Sequence, residues 1–67
     1  MKYFSSKLDT VLNIINELKK LGEKSISVSD LAYLSQINYT DFKEYILPAL
    51  EKKFKIEKKG RKIYIIL

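Results

Sequence analysis

The sequence predicts one α+β domain over residues 1–67, mostly helical, with the element order α-β-α-α-β-β. Three observations carry this reading. Apolar residues recur at helical spacing in three stretches. Two alternating segments close the chain around a turn that contains glycine. Only two glycines and one proline interrupt the 67 residues, and no repeat or linker-like tract is present, so the joins must be short.

The first helix follows from Leu8, Val11, Leu12, Ile15, Leu18 and Leu21, which share one face. Ser6 is expected to cap it, with Asp9 as capping-box partner, while Lys19, Lys20 and Gly22 suit its end. Ser25-Ile26-Ser27-Val28 alternates polar and apolar and reads as a short strand. Ser29 is then expected to cap a second helix from Asp30 to about Gln36, burying Leu31, Ala32 and Leu34. Asn38 is a good cap for a third helix, with Asp41 three residues on and Phe42, Tyr45, Ile46, Ala49 and Leu50 on its inner side. Pro48 lies inside that helix. It removes one backbone hydrogen bond and crowds the carbonyl of Glu44, so a kink or local break is expected there.

Phe54 to Lys58 and Arg61 to Leu67 alternate with period two on either side of Lys59-Gly60, which predicts a β-hairpin. Phe54 and Ile56 share one face of its first strand, and Ile63, Ile65 and Leu67 share one face of its second. Tyr3 and Phe4 are expected to cover the sheet or the first helix.

Composition removes whole classes of chemistry. Without Cys or His there is no disulfide, no thiol nucleophile, no imidazole base and no zinc site of the usual kind. The remaining acids and hydroxyls form no paired carboxylates, no glycine-rich phosphate loop and no nucleophile beside a base, so neither an enzyme nor a cofactor is expected. No apolar run approaches the roughly 18 residues of a membrane span, and the first residues lack the apolar stretch of a signal peptide. The reading is a cytoplasmic protein. A core this small supplies only about 3–5 kcal/mol, so very regular packing or a homodimer is expected to add to it. Ile65-Ile66-Leu67 at a sheet edge, or the first helix, would provide the dimer contact.

The order of elements resembles a winged-helix member of the helix-turn-helix class over essentially the whole chain. Leu31-Ala32 stands where such motifs place an apolar and a small residue, Ile37-Asn38 matches their apolar turn residue and cap, and Phe42 and Tyr45 fall at inward positions of the second motif helix. Leu50-Glu51-Lys52-Lys53, Ile56, Lys59-Gly60-Arg61 and Ile63-Tyr64-Ile65 are similar to the family's approach into its wing. Gln36 departs from the pattern where glycine is frequent, and Phe54 does so at the end of the third helix. The resemblance implies double-stranded DNA as partner, with the third helix in the major groove, and a role as a small transcriptional regulator or accessory DNA-binding protein of a prokaryote or virus.

Charge agrees with that partner. Thirteen Lys and Arg against eight Asp and Glu leave +5, with a pI near 9.5. Between residues 52 and 62, Lys52, Lys53, Lys55, Lys58, Lys59, Arg61 and Lys62 face a single acid, Glu57, so the whole excess sits at the end of the third helix and along the hairpin. Lys55, Lys58, Lys59, Arg61 and Lys62 are therefore candidates for phosphate or minor-groove contact. Lysines around a hairpin also serve simply to keep a sheet edge soluble. The candidate reading face on the third helix consists of Tyr39, Thr40, Lys43, Glu44 and Leu47, and it is not basic. Leu47 and Pro48 between Glu44 and Glu51 support a rival, a small apolar patch with an acidic rim that docks a protein partner in a larger assembly. Tyr64, on the side of its strand opposite Ile63 and Ile65, is the aromatic placed nearest a ligand; cross-strand packing is its alternative role.

Overall fold

The computed structural model describes residues 2–67, with side chains from residue 5 onward, so the expected role of Tyr3 and Phe4 lies outside the described residues. Helix α1 spans Lys2–Lys20, strand β1 Ser25–Ser27 and helix α2 Val28–Leu34. The third helix, α3, is built of three consecutive stretches: α-helical Tyr39–Asp41, a π-helical turn Phe42–Ile46, and α-helical Leu47–Glu51. Strands β2 (Lys55–Lys59) and β3 (Lys62–Ile66) complete the order α-β-α-α-β-β.

Helix α1 begins four residues before the expected cap, so Ser6 and Asp9 lie inside it rather than capping it. Nothing between Lys2 and Ser6 stops a helix. Thr10 Oγ1 donates to the Ser6 carbonyl at 3.3 Å, a bond within the helix body. At the other end Gly22 adopts φ +88°, Glu23 N–H donates to Leu18 O and Gly22 N–H to Lys19 O, both at 3.0 Å. This double closure is a Schellman motif, which needs the left-handed residue that glycine supplies. Leu21 falls beyond the last turn and is 78% exposed, not buried as its spacing predicts.

Helix α2 starts two residues earlier than expected because Ser27, not Ser29, caps it: its Oγ accepts from Asp30 N–H at 3.2 Å. The inward stripe is then Val28, Leu31, Ala32 and Ser35, all buried. Leu34 stands beside that stripe and is 49% exposed, against expectation. A second Schellman closure ends the helix, with Gln36 N–H to Tyr33 O at 3.1 Å and Ile37 N–H to Ala32 O at 3.0 Å. Gln36 holds φ +58° there, in the left-handed region.

In α3 the cap is the expected one. Asn38 accepts from Asp41 N–H and donates from its Nδ2 to Asp41 Oδ2, each at 2.9 Å. The break expected at Pro48 takes the form of the π turn just before it, where Leu47 N–H reaches back five residues to Phe42 O. A π turn holds one more residue than an α turn, so the stripe slips by one position beyond it. Ile46 and Leu47 are both buried as a result, while Tyr45, expected inside, is 45% exposed.

The sheet is antiparallel with strand order β1-β3-β2, so β3 is the central strand rather than an edge. Ile26, Ile65 and Ile56 align across it on the helix side. The core joins Val11 and Ile15 of α1, Leu31 of α2, Ile37, Phe42, Ile46 and Leu50, with Ile65 closing it from the sheet. Phe54, Ile56, Ile63 and Leu67 pack against its margin, as the hairpin pattern predicts. Leu67 N–H also bonds Lys24 O at 2.9 Å, which ties the C-terminal residue to the segment just before β1. Among the described residues, no helix is long and apolar enough to cross a membrane.

Candidate nucleic-acid interface

The capped start of α3 presents Tyr39, Thr40, Lys43 and Glu44 together, all exposed. These four line a shallow, open concavity of about 340 Å³. The Lys43 ammonium rests 5.6 Å from the centroid of the Tyr39 ring, a cation–π contact that orders one wall. The N-terminal half of the predicted reading face is therefore one continuous surface. It combines a hydroxyl, a cation, an acceptor and an aromatic edge, the groups with which side chains read bases or hold phosphates.

Leu47 does not belong to that surface. It is 6% exposed, turned into the core by the π turn, and the exposed Pro48 follows it. The expected Leu47 contact with DNA and the Leu47-centred patch for a protein partner are both corrected by this burial. Sequence periodicity could not have found it, because a helical stripe assumes constant pitch through residues 42–46.

The wing-like hairpin turns at Gly60-Arg61, one residue later than the sequence pattern predicts, between Lys59 and Lys62. Gly60 has φ +63° and Arg61 does not enter the positive region, the pattern of a type II′ turn with glycine at its first central position. The register then sorts the cations. Lys58 is paired with Ile63 and shares the helix-side face with Ile56, whereas Lys55, Lys59 and Lys62 project from the opposite face with Glu57, Tyr64 and Ile66. Arg61 sits at the tip, and Lys52 and Lys53 are exposed just past α3. The five cations expected to act as one set are thus divided between two faces.

On the far face Lys55 Nζ is 4.0 Å from Glu57 Oε1, and Lys59 Nζ lies 5.9 Å from the Tyr64 ring centroid. Tyr64 itself is half-buried on the central strand. Among the described residues no group of three or more Asp or Glu side chains converges to hold a metal ion. Comparison with known protein families, with characterised proteins and with solved structures gives no match to this chain.

Proposed function

We propose that the chain is a winged-helix domain that binds double-stranded DNA, as a small transcriptional regulator or accessory DNA-binding protein. The observation that carries this reading is the exposed surface of Tyr39, Thr40, Lys43 and Glu44 at the start of α3, in a domain whose excess positive charge is gathered on one hairpin. The order of elements and the central position of β3 support it.

In this reading α3 enters the major groove by its N-terminal half. Thr40 and Lys43 reach base edges or phosphate, and Glu44 accepts from a cytosine amino group. Lys58 on the helix-side face and Arg61 at the tip hold the phosphate backbone, and Lys52 and Lys53 add positive charge at the foot of the hairpin, just past α3. Affinity comes from the cations and sequence preference from the helix.

The test is a fluorescence-anisotropy titration of labelled mixed-sequence duplex at several salt concentrations, followed by selection of preferred sites for the wild type and for Thr40→Ala and Lys43→Ala. Binding should weaken steeply as salt rises, and the two variants should shift the preferred sequence. Absence of duplex binding even at low salt would end this reading.

A further inference from the structure

We infer that the outer face of the sheet is a second nucleic-acid surface, one that takes a single strand, with Tyr64 as the stacking platform and Lys55, Lys59 and Lys62 as its phosphate contacts. The pleat sets these four on the side of the sheet away from the core residue Ile65. A duplex lying along α3 and the helix side of the hairpin would face away from them, which leaves this side of the sheet open to a separate ligand. Three lysines against one acid make that ligand an anion.

The aromatic ring selects among anions. Tyr64 occupies the central strand, opposite Ser27 on one side and Glu57 on the other, and the cations lie around it. Phosphates alone make no use of a ring, and in a duplex the base faces are already stacked on one another. A single strand offers both phosphates for the lysines and a free base face for the tyrosine. A ring held half-buried in a sheet stacks with little loss of freedom. Lys59 now rests over this ring at 5.9 Å; as a base takes its place, its flexible stem carries the ammonium to the adjoining phosphate. Glu57 opposes the same ligand, and its carboxylate, 4.0 Å from Lys55, restrains one of the three cations.

This surface does not depend on duplex binding by α3, and the experiment keeps the two apart. Anisotropy is measured with three probes: an oligothymidylate of about 12 nucleotides, an abasic strand of equal length, and a mixed-sequence duplex. The wild type should prefer the oligothymidylate over the abasic strand by about fivefold or more. Tyr64→Leu should abolish that preference and leave duplex affinity unchanged, whereas Tyr64→Phe should keep it. Glu57→Gln should tighten the single strand, and the triple variant of Lys55, Lys59 and Lys62 to Gln, entirely at the surface, should weaken it without lowering the melting temperature. Equal binding of abasic and base-bearing strands would overturn the inference in favour of a general polyanion surface. Parallel loss of single-strand and duplex binding in Tyr64→Leu, with the fold intact by circular dichroism, would overturn it in favour of one shared site.

Discussion

Gln36 carries a side chain at φ +58°, in the position of the α2 Schellman closure that glycine occupies after α1. The left-handed conformation costs a residue with a Cβ roughly 1–2 kcal/mol, and glycine's greater freedom in the unfolded chain offsets part of that. Gln36→Gly should therefore raise stability by about 0.5–1 kcal/mol in denaturant titrations. Next to it, Ser35 is 3% exposed and its Oγ has no hydrogen-bond partner among the described residues. Ser35→Ala removes an unsatisfied buried hydroxyl and should raise stability by about 1 kcal/mol, read from the same titrations. Asn38→Ala should do the reverse, costing about 1 kcal/mol by removing the bond to Asp41 N–H. Asn38 was legible in its role because its partner lies three positions away and the pattern is local, and Gln36 was legible as the residue standing where glycine is frequent; Ser35 gave no such signal. Ser27 and Ser29 are chemically alike, and burial of Val28 as the first helical residue decides between them. That choice depends on tertiary packing, which the local pattern does not contain.

The element that departs most from its sequence pattern is α3. Pro48 has no N–H to donate and its ring crowds the preceding turn, so widening that turn by one residue relieves the clash without ending the helix. The proline announces a disturbance at this place in the sequence, but not its form. A kink would have kept Tyr45 on the inner stripe; the extra residue exchanges Tyr45 for Leu47. Mutational energies read this exchange directly. Leu47→Ala should cost about 2–5 kcal/mol, the range for a buried leucine, while Tyr45→Ala should cost about 1 kcal/mol or less. An uninterrupted α-helix would give the opposite ranking, so the pair of denaturation curves discriminates between the two registers. The same shift explains why half of the expected reading face survives. Tyr39, Thr40, Lys43 and Glu44 precede or enter the π turn and keep their phase, while Leu47 comes after it.

For the molecule as a whole, the concentration of positive charge at residues 52–62 is plain in the sequence, and its division between two faces is implicit in the alternation of the apolar residues, although the five cations read most simply as one set. Side chains alternate along a strand, so once Ile56, Ile63 and Ile65 face the helices, Lys58 must share their side and Lys55, Lys59 and Lys62 must take the other, with the turn at either Lys59-Gly60 or Gly60-Arg61. What the turn at Gly60-Arg61 sets is the pairing: Lys58 lies opposite Ile63, Glu57 opposite Tyr64 and Lys59 opposite Lys62. If DNA lies along α3, only Lys58 and Arg61 of these five release counterions from the duplex, at about 0.9 in log–log salt slope per phosphate contact. Lys58→Ala with Arg61→Ala should then reduce the duplex slope by about two units and weaken binding to every sequence alike. The triple variant Lys55→Ala, Lys59→Ala and Lys62→Ala removes more charge, yet should leave that slope nearly unchanged. A slope that instead falls in proportion to total charge removed would mean that the duplex senses the hairpin only as a diffuse positive field. In that case the two faces of the sheet would not be separate surfaces, and the register would carry no functional information.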